Sequence, residues 1–328
     1  MTSRPPLRRL GLAVAAIAAA ACAPGPPSTP TGILVSPSPV IIPSAASSTS
    51  SLAAFPGSLL VLVESPDDRV FLAWTGDGRS RPIALSGRGL VRAAAGPDGR
   101  LAATTLDRSV VTAADPDGDW QPLIVGPLPD AAETAEVLLP AWSPSGGLAV
   151  VHARASTASV VGVALVAPAD GSTRWLPLDT GLGDQDPAWL DDRHLVISTR
   201  GRGDAPTVTI LDVVTGTARA VAGSRAAVAA ADGSIVAVLD TDERTIEIRA
   251  PDPAGGLDGA TVAILDPLPA GLRVDGLALP ADGSAVAVAT TVSDGAPGSA
   301  LFVSDPDGRT IWTASIDAAG SAGIGFLP

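Results

Sequence analysis

The sequence predicts an all-β chain folded as a six-bladed β-propeller of four-stranded blades, and three observations carry that expectation. Six turn segments recur, at Phe55 to Ser58, Gly96 to Arg100, Ser143 to Gly147, Leu190 to His194, Ala230 to Ser234 and Pro280 to Ser284. Each runs into a short apolar strand: LLVLVE, LAATT, LAVVHA, LVIST, IVAVLD and AVAVAT. Anchored on Gly57, Gly99, Gly146, Arg193, Gly233 and Gly283, the repeat spacings are 42, 47, 47, 40 and 50 residues, the length of a four-stranded blade.

Residues 1–21 stand apart from that repeat and read as an export signal of the lipoprotein type. Arg4, Arg8 and Arg9 form a basic start, Leu10 to Ala21 is an apolar run too short to span a bilayer, and small residues precede Cys22. Cys22 is the only cysteine and stands where such a signal places the residue that receives diacylglycerol. This predicts a lipid anchor holding the protein to the extracytoplasmic face of the cell membrane. The competing reading is an ordinary secretory signal cut near Ala19-Ala20-Ala21, since Ala19 replaces the usual Leu of a lipobox. Residues 22–54 are rich in Pro, Ser, Thr, Gly and Ala and almost uncharged, too poor in apolar area to offset their ordering entropy, and read as a disordered tether.

Residues 55–328 form the propeller domain. Within one blade, Leu148 to Ala153 and Ser159 to Val166 are the second and third strands, Ala169 to Ser172 a hairpin turn, and Trp175 to Leu178 the outer strand. The last residues, Gly325 to Pro328, resemble the stretch that leads into each turn, as at Gly276 to Pro280, whereas the first repeat lacks one. The C-terminal strand is therefore expected to complete the first blade and close the ring, which removes an exposed sheet edge.

Composition excludes several chemistries. Aromatic residues make up 3% and Tyr is absent, so the core must be built from Val, Leu, Ile and Ala. Lys and Asn are absent too, the mark of a very GC-rich genome of the actinobacterial kind. Without Lys there is no P-loop lysine, Schiff base or Ser-Lys dyad. A net charge of −13, with all 21 basic residues Arg and scattered, argues against nucleic acid as a partner.

The string PAWSPSGG at Pro140 to Gly147 closely resembles the repeat motif of TolB-type, WD-repeat-like propellers. Pro187-Ala188-Trp189-Leu190-Asp191-Asp192 is a degenerate second copy and Gly96 to Arg100 a third. The resemblance implies an exported six-bladed propeller used for protein contact or small-ligand binding, and implies no catalytic residues and no cofactor.

Other candidate sites have simpler readings. Asp115 to Asp119 resembles the start of a calcium loop but recurs at Asp305 to Gly308 without the bidentate Glu, so it reads as a hairpin turn. The carboxylates Asp184, Asp186, Asp191 and Asp192 read as a solvated blade edge, not a metal site. His152 and His194 fall in different blades and give no triad or metal pair. Arg202-Gly203-Asp204 is a chance tripeptide in a hairpin loop. Inner strands line a propeller's channel, and counting back from the turns places Arg92 and Asp186 at one repeat position and Arg225 and Asp275 at the neighbouring one. These four are the ligand-binding candidates, suited to a polar or zwitterionic ligand. These features predict a non-catalytic envelope module that binds a protein partner or a small ligand. The alternatives are a propeller lyase or hydrolase with its site at the channel mouth, and a structural spacer with an empty channel.

Overall fold

A computed structural model describes residues 58–327 apart from 65–68, 76–79, 84–89, 116–117, 124–125, 202–204, 294–297 and 317–319. The export signal, Cys22, the tether and Arg202-Gly203-Asp204 lie outside the described residues. The described residues form antiparallel sheets and one single-turn helix, α1 (Asp130–Glu133). Three sheets are simple meanders: β4 (Leu90–Ala95), β5 (Leu101–Thr105), β6 (Val110–Ala113) and β7 (Gln121–Pro122); β16 (Ala226–Ala229), β17 (Val236–Leu239), β18 (Ile246–Arg249) and β19 (Thr261–Ile264); β20 (Leu272–Ala278), β21 (Val286–Val292), β22 (Ser299–Ser304) and β23 (Thr310–Ile316). A fourth joins the two ends of the domain. Here β24 (Gly320–Leu327) pairs with β1 (Ser58–Glu64), which is followed by β2 (Arg69–Thr75) and β3 (Ser80–Ile83). Leu59 lies opposite Phe326 in that ladder.

The remaining strands share one eight-stranded sheet. It contains β8 (Val137–Trp142), β9 (Leu148–Arg154), β10 (Ser159–Val166) and β11 (Thr173–Leu182), then β12 (Ala188–Trp189), β13 (His194–Arg200), β14 (Pro206–Asp212) and β15 (Ala218–Ala222). The join is local: β11 overruns its meander so that Gly181 and Leu182 pair with Arg200 and Thr199 of β13.

Apolar residues fill the spaces between successive four-strand runs. In β1, Leu60 and Leu62 belong to a buried cluster shared with β4, β5 and β6, while Leu59 and Val61 belong to one shared with β20, β21, β22, β23 and β24. Further clusters join β5 and β6 to β8–β10, β9–β11 to β13 and β14, β13 and β14 to β16 and β17, and β16–β18 to β20 and β21. Burial on both faces explains why the strands read as unbroken runs such as LAVVHA instead of alternating apolar and polar residues. The first strands β24, β4, β8, β12, β16 and β20 contact one another in that cyclic order.

The turns behind this order follow from glycine stereochemistry at four of the six repeat anchors. Gly99, Gly146, Gly233 and Gly283 all have φ between 63° and 83°, where a side chain is strained. Arg193, the fourth anchor, turns without a left-handed backbone. Its turn is instead tied by the Asp191 carboxylate, which accepts the backbone N–H groups of Arg193 (2.7 Å) and His194 (2.8 Å).

Candidate functional site

The C-terminal ends of the six inner strands and the turns that follow them surround a cavity of about 190 Å³. Its lining combines Ala, Gly and Pro with the larger apolar residues Val228, Leu277, Leu279, Ile324 and Phe326, the tryptophans Trp142 and Trp189, and the polar residues Ser143, Gln185 and Asp186. Ligand pockets for organic cofactors generally span ~300–1,000 Å³, so this space suits a single side chain or a small molecule. The Trp189 indole N–H donates to the Ala141 carbonyl at 3.1 Å. Trp142 is equally buried, but its indole nitrogen has no hydrogen-bond partner.

At the opposite end of the inner strands the chain folds a cross-channel tie that the sequence did not announce. Leu182 and Gly183 continue the β11 ladder, with the Gly183 N–H donating to the Ser198 carbonyl at 2.9 Å. A Cβ at residue 183 would collide with the backbone and side chain of Ser198, so only glycine fits there. Pro187 has no N–H to offer a ladder, and β12 is confined to Ala188–Trp189. Residues 184–186 are left to bridge, and each grips a different sheet. Asp184 forms an ion pair with Arg225, just before β16. Buried Gln185 donates through Nε2 to the Val274 carbonyl of β20 at 3.1 Å. Asp186 faces Arg92 of β4, Oδ1 to Nη1 at 3.7 Å, with about a third of each side chain exposed.

The four residues picked from the sequence therefore fall into two groups at this one end. Arg92 and Asp186 pair, and Asp275 is near enough to act on Asp186. Crowding by protein raises the Asp186 carboxyl above its ordinary value, the Arg92 guanidinium partly offsets that, and the Asp275 carboxylate raises it further. Arg225 belongs elsewhere. It is 11% exposed and held by Asp184 and by Glu243, the latter at 2.8 Å. Glu243 has φ of 65°, as the matching hairpin residues Arg108 and Ala158 also have positive φ, and its carbonyl accepts the Val274 N–H at 3.0 Å.

β-Bulges set these positions. The register of β4 slips between Leu90 and Arg92, and that of β20 slips between Val274 and Gly276, which makes Asp275 the extra residue. Gln185 and Glu243 were not among the sequence candidates, and Asp184 and Asp186, read from the sequence as part of a solvated blade edge, are instead drawn into the cross-channel tie by Arg225 and Arg92. For residues 184–186 the sequence signal was the Gly183-to-Pro187 interruption of an inner strand; Glu243 had none.

The remaining titratable clusters are structural. Asp191 and Asp192 lie beyond β12 from Asp184 and Asp186, and among the described residues no three potential ligands gather around a metal position. His194 is tied to Asp191, Nδ1 to Oδ2 at 2.8 Å. His152 is buried against Trp175, ring centroids 5.1 Å apart and edge to face, and its Nδ1 has no partner. Burial lowers its pKa to about 4.

No family model matches the sequence, and no curated protein matches it. Solved structures do match in fold. TolB from Acinetobacter baumannii aligns with a TM-score of 0.61 at 14% identity, over 85% of this chain and 69% of its own. A putative TolB from Agrobacterium tumefaciens aligns at 0.52 and 12% identity, over 83% of this chain and 99% of its own. The periplasmic gluconolactonase of Pseudomonas aeruginosa aligns at 0.52 and 16% identity, with the same coverages. At such identities the likeness speaks for architecture alone, and the chain is an all-β protein with the β-propeller fold.

Proposed function

We propose that this chain is a membrane-tethered, extracytoplasmic six-bladed β-propeller that binds a partner protein or small ligand at its channel without catalysing a reaction. Six blades are supported by the cyclic contacts of the six first strands and by buried clusters that lead from each four-strand run to the next and from the last back to β1. The tether and the anchor at Cys22 rest on the sequence. The observation that carries the binding role is the cavity itself: a largely apolar wall contributed by every inner strand, open among the turns and crossed at the far end by residues 184–186. The wall offers Ser143 as its one hydroxyl, and that oxygen accepts the Gly147 N–H at 3.0 Å and lies 3.2 Å from Ser145 Oγ. No base stands beside it, so no activated nucleophile forms.

One observation favours the enzyme reading. Asp186, with its raised pKa beside a second carboxylate, has the electrostatics of a general acid. A gluconolactonase among the similar folds shows that the architecture accommodates hydrolysis. Against it stands the engagement of Asp186 with Arg92 at the tied end of the channel.

Site-specific photo-crosslinking tests the proposal. A crosslinking residue at Ala281, in the cavity wall, is expected to capture a partner, whereas one at Leu106, exposed on a hairpin at the opposite end of its sheet, is not. Equal capture at both positions, or at Leu106 alone, refutes a channel site.

A further inference from the structure

We propose that the channel mouth is occupied by the chain's own segment 52–57, with the Phe55 ring seated in the cavity, so that a partner or ligand gains the site by displacing it. The proposal rests on the channel being a binding site and adds how that site is regulated. Residues 52–57 lie outside the described residues, and their destination follows from where the described chain begins. Ser58, the first residue of β1, stands opposite Leu327 at the end of β24, next to the Leu59–Phe326 pair. Phe326 lines the cavity, so the chain enters the fold at the rim of the open mouth. Both edges of β1 are taken, one by β24 and the other by β2, which leaves the incoming segment no place beside it in that sheet.

The repeat singles out Phe55. In the four glycine-anchored turns that the structure describes, the residue two before the anchor lines the cavity: Pro97 before Gly99, Pro144 before Gly146, Ala231 before Gly233 and Ala281 before Gly283. The remaining glycine anchor is Gly57, and the residue two before it is Phe55. Where the other turns place Pro or Ala at the mouth, the first places a large apolar side chain. Size and polarity agree with that occupant. The cavity of about 190 Å³ suits a single side chain, and Val228, Leu277, Leu279, Ile324 and Phe326 make its lining apolar. Residues 23–57 carry no charged side chain, so no ion has to be desolvated as the segment docks. Phe55 precedes Ser58 by three residues, a reach of about 10 Å at full extension, which makes its ring an intramolecular ligand at high effective concentration.

The test uses purified full-length protein in detergent, labelled with 4-fluorophenylalanine at its four Phe positions, the Phe55 line being assigned by its loss in Phe55→Leu. In fluorine NMR the Phe55 line is expected to resist broadening by a soluble gadolinium chelate as well as that of Phe326, which is 8% exposed. A photo-crosslinking residue at Ala281 is expected to join residues 52–57 of the same molecule, read by mass spectrometry of the digested monomer, and Phe55→Ser to lower that yield about tenfold. A Phe55 line broadened like that of a fully solvated residue, or Ala281 crosslinks that never reach residues 52–57, overturns the proposal. Partner capture at Ala281 in cells separates this proposal from the binding reading beneath it. Equal capture by the native chain and by Phe55→Ser, with Phe55 solvated, removes the plug and leaves the channel a binding site. A shielded and crosslinked Phe55 with no partner captured by either form removes the binding role and leaves the segment as a structural filling of the mouth.

Discussion

Closure of the domain through its own ends predicts that Leu59 and Phe326 are energetically coupled across 267 residues of chain. Leu59 is fully buried, Phe326 is 8% exposed, and the two lie opposite each other in the β1–β24 ladder within one apolar cluster. Removing either side chain to Ala deletes buried methylenes and leaves a void that the packed sheets only partly fill. A cost of ~2–5 kcal/mol for Leu59→Ala and ~3–5 kcal/mol for Phe326→Ala follows. Contact makes the double variant cost less or more than the two singles together, by ~0.5–3 kcal/mol. Urea unfolding of the full-length protein, followed by far-ultraviolet circular dichroism on all four members of the cycle, measures this term. Leu106→Ala, 76% exposed, is the control and should shift stability by no more than ~0.5 kcal/mol. Additivity of the two core variants, or a Phe326→Ala cost as small as the control's, would show that the C-terminal strand does not pack on β1 and refute the closure argument.

Other outcomes follow from buried groups and the anchor. His152 is held neutral by burial, with its pKa near 4 instead of 6.5, so the unfolded chain takes up the proton first. Its contribution is complete above pH 6.5 and is lost as pH falls toward 4, a loss of ~3 kcal/mol. His152→Leu should flatten the dependence of the urea midpoint on pH in that window. Asp186 has the opposite sign: its raised pKa favours the protonated form in the fold, so ionisation at neutral pH costs stability. Asp186→Asn should therefore raise the urea midpoint at pH 7 and change it little at pH 3. Gly162→Ala would drive a Cβ into the indole of Trp175, and a loss of ~1–3 kcal/mol in chemical unfolding is expected. Cys22→Ser should move the protein from the membrane fraction to the soluble fraction; retention on membranes would point to a different anchor.

The strand pattern was legible because turn chemistry and burial speak in the same places. Gly99, Gly146, Gly233 and Gly283 mark their turns through positive φ, and the doubly buried strands after them could only be apolar. The pairing of the last strand with β1 was readable from the likeness of Gly325–Pro328 to Gly276–Pro280. The site was harder to read, for reasons of register. Counting back from the turns assumes a strict two-residue alternation, and the bulges at Val91 and Asp275 break it. Arg92, Asp186 and Asp275 still gather at one end because all three sit near the start of an inner segment, whereas Arg225 is drawn away by Asp184 and Glu243. Gln185 gave no chemical signal at all. Its role comes from a contact 89 residues away in sequence, made possible by the overrun of β11 into the neighbouring meander.

Binding without chemistry is the claim on which the rest depends, and turnover measures it most directly. Purified full-length protein incubated with lactone, glycoside and peptide substrates, with products followed by mass spectrometry, is expected to yield no more product than the Asp186→Asn variant. Product formed by the native protein and abolished by Asp186→Asn or Asp275→Asn, with the fold intact, would contradict the account and make the channel an active site.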